Sequence, residues 1–177
     1  MRLKLARRGQ GIAIDFLCAA LVFLLLFNAA MNLIEGSNKS VLDKTLLNEL
    51  NSRAEQTLDM LVRTDGQPNN WQEKSIDEVT MLGLAKRDRV LDNEKVEKFV
   101  QWTSTYRSQD YNKAKALLLI GYDYYFKITD SGGTVLEQTG QPDSQMQKKM
   151  MAVTTKRIVN LDGGEAVAGL TIYYQKA

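Results

Sequence analysis

The run IAIDFLCAALVFLLLFNAAMNLI, residues 12–34, decides how the rest of the chain is organised. Only Asp15, Asn28 and Asn32 interrupt its apolar character. As an α-helix rising roughly 1.5 Å per residue it spans about 34 Å, enough to cross a typical hydrocarbon core. A cleavable secretory signal has a shorter apolar stretch that ends in small residues, whereas Leu33-Ile34-Glu35-Gly36 closes this one. The run therefore predicts a retained transmembrane helix over 12–34. Arg2, Lys4, Arg7 and Arg8 precede it, which predicts a single-pass protein of the cell membrane with a cytoplasmic N-terminus and an extracellular C-terminal domain.

Composition narrows the function classes. The 177 residues carry 23 Lys+Arg and 21 Asp+Glu. Without the four leading cations, 19 basic residues face 21 acidic ones, a balance of −2. No basic surplus remains to neutralise phosphates, which argues against nucleic-acid binding. The chain has no His, so the commonest metal ligand and the commonest general base are both missing. Ser–Lys pairs remain available as nucleophile and base, but no spacing marks one. The lone Cys18 lies inside the apolar run and has no intramolecular partner for a disulfide. The expectation is a protein that is not an enzyme, with no catalytic residues, metal ligands or cofactor.

Asp15 is the residue that needs explaining. A carboxylate at the centre of a bilayer costs on the order of 2.5–3.5 kcal/mol, and less near the edge, where Asp15 falls. One reading leaves it solvated among headgroups, partly neutralised by Arg7 or Arg8. The pattern Arg7-Arg8-Gly9-Gln10, then Asp15-Phe16-Leu17 at the head of an unbroken apolar helix, also resembles the archaeal class III signal peptide of type IV pilin-like proteins. That resemblance implies cleavage by a prepilin peptidase on the cytoplasmic side, after Gly9, leaving Gln10 as the new N-terminus. It also implies that residues 1–9 are a removable basic leader. Like or related pilin-type subunits would then pack through their N-terminal helices, as a surface filament or with this chain as a minor, pseudopilin-like component, and Asp15 would pair with a neighbour's free amine. In the family the acidic residue is usually a Glu at the fifth mature position, and here Asp15 is the sixth. A carboxylate in a low dielectric needs a cationic partner in any case. The alternative expectation is an uncut membrane-anchored extracellular binding or sensor module.

Gly36-Ser37-Asn38 predicts a bend after the membrane helix, and the extracellular domain is taken as 37–177. Asn38-Lys39-Ser40 is a glycosylation sequon on that side. Leu46, Leu47, Leu50, Ala54, Leu58, Leu61 and Val62 recur at three- and four-residue steps, predicting an amphipathic helix over about 40–63. Its stripe suits either a coiled coil with another chain or packing on its own domain, and the second is expected because the sheet below needs a cover. Thr64-Asp65-Gly66-Gln67-Pro68 ends this helix.

Residues 64–121 form a mixed middle. Trp71 in its polar loop is expected to anchor to the core rather than hold a sugar. Residues 75–84 fit either a short strand or an irregular segment. Leu91-Asp92-Asn93 predicts an N-cap ahead of Val96, Phe99 and Val100 at helical spacing. A further short helix is expected over 111–119, with Gly121 as its stop. Gly66-Gln67-Pro68-Asn69-Asn70-Trp71, Leu82-Gly83-Leu84-Ala85 and Arg89-Val90-Leu91-Asp92 resemble landmarks of archaeal membrane proteins with the same signal, a family with no assigned activity.

The last third alternates. Tyr122, Tyr124, Phe126 and Ile128 make one apolar-leaning face, and Asp130-Ser131-Gly132-Gly133 reads as a turn into a strand over 134–138. After a polar loop at 139–149, strands are expected over 152–159 and 165–174, joined by a turn at 161–164. The tyrosine cluster is expected in the sheet core rather than in a ligand groove. Gly132-Gly133 and Gly163-Gly164 are hairpin glycines rather than phosphate cradles. Asp123, Asp130, Asp143 and Asp162 are better explained by turns than by calcium, because no alternating oxygen ligands surround them. The fold class expected is α+β and pilin-like: an N-terminal transmembrane helix continued by an amphipathic helix, with a C-terminal antiparallel sheet of about four strands over 122–174.

Overall fold

A computed structural model describes residues 4–141 and 150–175. The chain forms two units, residues 1–46 and 47–177. A single helix, α1 (Lys4–Arg63), supplies residues to both. It continues through Gly36-Ser37-Asn38, where a bend was expected. Glycine costs a helix only about 1 kcal/mol relative to alanine, so punctuation of this kind does not compel a break. In the first unit, Asp15–Asn32 is an 18-residue window of mean hydropathy 1.8, none of it buried. By length and composition it is the one helix, among the described residues, able to cross a membrane.

In the second unit the amphipathic stripe does what its spacing predicts. Leu50, Ala54, Leu58, Leu61 and Val62 are all fully buried. Each such leucine contributes roughly 1.5–3 kcal/mol by leaving water. The surface they cover is one face of a six-stranded sheet. Its strands are β1 (Ala85–Arg87), β2 (Val90–Leu91), β3 (Asp123–Asp130), β4 (Val135–Gly140), β5 (Met150–Leu161) and β6 (Gly164–Gln175). Their order across the sheet is β1-β2-β5-β6-β3-β4. The expected hairpins β3–β4 and β5–β6 are present, and β6 also pairs antiparallel with β3. Registers Tyr124↔Ile172, Phe126↔Leu170 and Ile128↔Ala168 place these buried side chains on one face.

The sheet is larger than expected, and it is mixed rather than purely antiparallel. The small ribbon β1–β2 adds to the edge of β5, where Val90 pairs with Asn160 in parallel. Arg89, at φ 58°, makes the turn between the two short strands. Its amide donates to Val62 O at 2.8 Å and its carbonyl accepts from Asn160 N at 2.7 Å. One residue thus ties the end of α1 to the edge of the sheet.

Two short helices close the core. α2 (Asn93–Thr103) begins at the expected N-cap, where the Asp92 side chain accepts from Glu94 N. It buries Val96, Phe99 and Trp102, and Phe99 meets Phe126 edge-on at 5.6 Å between ring centres. α3 (Gln109–Leu117) starts two residues before the expected position, because the Ser108 hydroxyl caps it by accepting from Tyr111 N. Leu119, at φ 55°, turns the chain after α3, two residues ahead of the anticipated Gly121. Residues 75–84 are irregular, with a short 3₁₀ turn at Ile76–Glu78 and a single bridge from Met81 to Gln67.

Candidate functional site

The residues of the proposed signal all fall on α1. Gly9, Gln10 and Asn38 lie within its helical backbone, and the side chains of Gln10 and Asn38 lie outside the described residues. Asp15 is exposed at the N-terminal edge of the apolar window. The three polar positions of that window behave differently. Asn32 Nδ2 donates to Asn28 O at 2.9 Å and to Asn28 Oδ1 at 2.8 Å, so the Asn32 amide nitrogen finds its acceptors one turn back on the same helix. Asp15 has no hydrogen bond or ion pair with any described residue. Around it the helix presents Phe16, 75% exposed, with Leu17, Leu21, Phe23 and Leu24 also uncovered. An apolar surface of that kind is normally matched by lipid or by other apolar helices.

The three landmark motifs of the middle region converge on one structural latch. Trp71 is fully buried, and its indole Nε1 donates to Gly83 O at 2.9 Å. The ring also packs against Trp102 at 5.2 Å. A Cβ on Gly66 would sit 2.7 Å from the Trp71 ring, and one on Gly83 would sit 2.3 Å from Thr64 O. Leu84 N donates to Leu61 O, Ala85 N to Thr64 O, and Asp92 N to Leu84 O. The glycines are small because the end of α1, the Trp71 loop and β1 approach backbone to backbone. Lys95 is buried beside them and donates from Nζ to Asp65 O at 2.9 Å. Trp71 is the core anchor that was expected.

The acids singled out earlier have local partners. Asp130 Oδ1 accepts from Thr134 N at 2.8 Å across the β3–β4 turn, where Gly133 takes φ 87°. Asp162 takes φ 54° in the β5–β6 turn and accepts from the Asn93 side chain. Asp143 lies outside the described residues. Asp123 accepts from Lys115 Nζ at 2.7 Å and from the Tyr106 hydroxyl at 2.8 Å. Burial pushes its carboxyl upward, but these two hydrogen bonds outweigh that and hold it below the ordinary carboxylate range. Burial likewise raises the Tyr106 phenol, with the neighbouring Asp123 carboxylate adding to the rise.

The tyrosine cluster divides by strand alternation. Tyr124 and Phe126 face the core, whereas Tyr125 is on the opposite face. Tyr124 is raised by burial. Its hydroxyl has no partner of adequate geometry among the described residues. Thr103 next to it is committed to Phe99 O at 2.6 Å and to the Thr139 hydroxyl at 2.7 Å. Tyr125 donates to Gln138 Oε1 at 2.5 Å and borders a cleft of about 470 Å³. Ser104, Thr105 and Tyr106, which follow α2, form one wall of the cleft; Tyr125, Gln138 and Thr139 of β3–β4 form the other, with Gly140 between.

No family model, curated protein or solved structure matches this chain. Function therefore rests on the residues themselves.

Two concave surfaces were not legible from sequence. One is the polar cleft just described. The other is a groove of about 540 Å³ between Arg53, Gln56 and Met60 of α1 and the corner made by the buried Leu118 and the exposed Leu119. There Arg53 donates to Leu119 O at 3.3 Å. The only sequence signal for the cleft was the hydroxyl-rich Ser104-Thr105-Tyr106-Arg107-Ser108 after α2.

Proposed function

We propose that this chain is a non-catalytic, single-pass surface protein of the type IV pilin-like class. A prepilin peptidase would remove residues 1–9, and the mature subunit would pack through its N-terminal helix against like or related subunits. The observation that carries this reading is the contrast within the apolar window. Asn32 donates to Asn28 within the helix, whereas Asp15 has no partner among the described residues and sits six positions after Gly9. A carboxylate at that depth gains most from a cation delivered by a neighbour, and the amine freed by cutting after Gly9 is such a cation. The lack of any His supports a role outside catalysis. In this reading the N-terminus is cytoplasmic before processing, the 37–177 domain is extracellular, and Asn38 is available there for glycosylation.

Cys18 allows a direct test, because it lies three residues after Asp15 on the same helix face and is exposed. Oxidative crosslinking through Cys18 in membranes should trap neighbouring subunits of the native chain. Asp15→Ala should partition into the membrane as before but lose most of the crosslink, and Asp15→Glu should regain it. Equal crosslinking in Asp15→Ala and the native chain would remove the role assigned to Asp15.

A further inference from the structure

The second unit carries opposite charge on its two outer surfaces. Helices α1 and α2 cover one face of the sheet, and the other face is turned outward. Its positions on β3 and β6 alternate with the buried Phe126, Ile128, Ala168 and Leu170. Lys156, Gly169 and Lys127 form one cross-strand row of this outward face. A Cβ on Gly169 would lie 3.8 Å from the Cγ of each lysine, so the two stems flank the glycine and set two cations side by side. The next row joins Ile158, 60% exposed, to Val167, Thr129 and Val135. Ile158 is eight residues along β5 from Met150, about 26 Å from the start of that strand. Of the carboxylates on this face, Asp123 is neutralised by Lys115. Glu165 lies four residues along β6 from Gly169, about 13 Å and beyond a Debye length at roughly 0.1 M salt.

The helix layer has the opposite sign. α2 turns Val96 and Phe99 to the core, so Glu94, Glu97 and Gln101 point outward at helical spacing. With Gln72, Glu73 and Lys98 they line a concavity of about 420 Å³. Three carboxylates thus meet one ammonium there, and that ammonium lies over the Trp102 ring, 5.5 Å from its centre. We propose that the lysine row of one copy of this chain docks on the acidic concavity of a second copy.

Charge complementarity selects that occupant. A lysine carries a point charge on a flexible four-carbon stem, and a concavity lined by carboxylates is what such a stem can enter. This chain presents both halves, on opposite layers of one domain. The two surfaces differ, so the contact is heterologous and leaves each copy with a free surface for a third. Exposed ion pairs are individually weak and fade with salt. The contact therefore depends on copies held at high local concentration, which a shared membrane supplies. It rests on the membrane anchor of the reading above, but neither on cleavage of the leader nor on Asp15.

The test is disulfide mapping of the full chain in phosphatidylcholine vesicles, with Cys18→Ser removing the native thiol. Ile158→Cys marks the sheet face and Gln101→Cys the concavity, both at exposed positions that leave every charge in place. Chains carrying both cysteines should crosslink into dimers, trimers and longer ladders, whereas chains carrying either one alone should not. Lys127→Glu with Lys156→Glu should cut the ladder roughly fivefold or more, and so should Glu94→Lys with Glu97→Lys. Lys156→Glu alone, at an exposed position, should lower it in the same direction, as should about 1 M NaCl. Mixing the two charge-reversed chains in one vesicle restores opposite signs at every contact and should bring the ladder back, which also shows that both chains fold. Crosslinking through Ile158→Cys alone as strong as through the pair would make the contact two-fold and overturn the proposal. A ladder indifferent to charge reversal, or reversed chains that stay uncrosslinked when mixed, would overturn it as well. So would a ladder that ignores Glu94→Lys with Glu97→Lys but disappears on adding anionic lipid, since the lysines would then sit on headgroups.

Discussion

Arg157 of β5 and Asp59 of α1, 98 residues apart in the chain, form a two-pronged ion pair, Nε to Oδ1 at 2.8 Å and Nη2 to Oδ2 at 3.2 Å. Strand alternation points Arg157 to the core side of the sheet, with Val153 and Val159, and α1 offers it a carboxylate one residue from the buried Leu58. The hydrogen bond from Arg157 holds the Asp59 carboxyl below its ordinary range. Both side chains are about a third exposed or less, so water and salt reduce what the pair contributes. A double-mutant cycle on Asp59→Asn and Arg157→Gln should give a coupling of about 0.5–1 kcal/mol at low salt, smaller at 1 M NaCl. Urea denaturation measures it, and strict additivity of the two variants would show that the pair does not fasten α1 to β5.

The latch around Trp71 makes a steeper prediction. Replacing Gly83 by Ala puts a methyl 2.3 Å from the Thr64 carbonyl, backbone against backbone, with no flexible side chain to give way. Overpacking of that kind costs about 1–3 kcal/mol or more, so Gly83→Ala should lower the thermal midpoint by several degrees. Trp71→Phe should lower it as well, by leaving Gly83 O without its indole donor. A Gly83→Ala chain that melts like the native one would show that α1 and β1 are not so closely apposed.

Acid should act through Asp123. Its folded-state pKa is lowered from the model-compound value of 3.8, chiefly because the hydrogen bonds from Lys115 and Tyr106 overcome the opposing effect of burial. A carboxylate depressed in the folded state stabilises fully above its unfolded pKa, and that contribution disappears as pH falls through the folded one. The loss is therefore expected below about pH 4, with nothing gained or lost from this group between pH 5 and 7. Asp123→Asn should be less stable than the native chain at pH 7, and the gap should narrow as the pH falls below about 4. Parallel stability curves for the two proteins between pH 5 and 3 would contradict this.

Much of the fold was legible because the signals were long or chemically sharp. The stripe Leu50-Ala54-Leu58-Leu61 spans several turns, and Asp92 and the Gly133 and Gly163 turns have well-defined backbone chemistry. The two-residue strand Val90–Leu91 gave no such signal, since alternation means nothing over two positions and its place was set by Arg89 bonding both Val62 and Asn160. The end of α3 misled for a different reason. Leu119 adopts φ 55°, a conformation usually left to glycine, with its carbonyl held by Arg53 from α1. The cleft escaped sequence reading because Tyr106 and Gln138 are brought together only by tertiary packing. Asp15 was legible as an exception in an apolar run, though not the partner it requires.

The most direct measurement is the mass of the mature N-terminus of the protein purified from its native membrane. The account predicts a chain that starts at Gln10, with Met1 to Gly9 removed. A chain that retains an N-terminus at Met1 or Arg2 would contradict it and leave an uncut membrane anchor in its place.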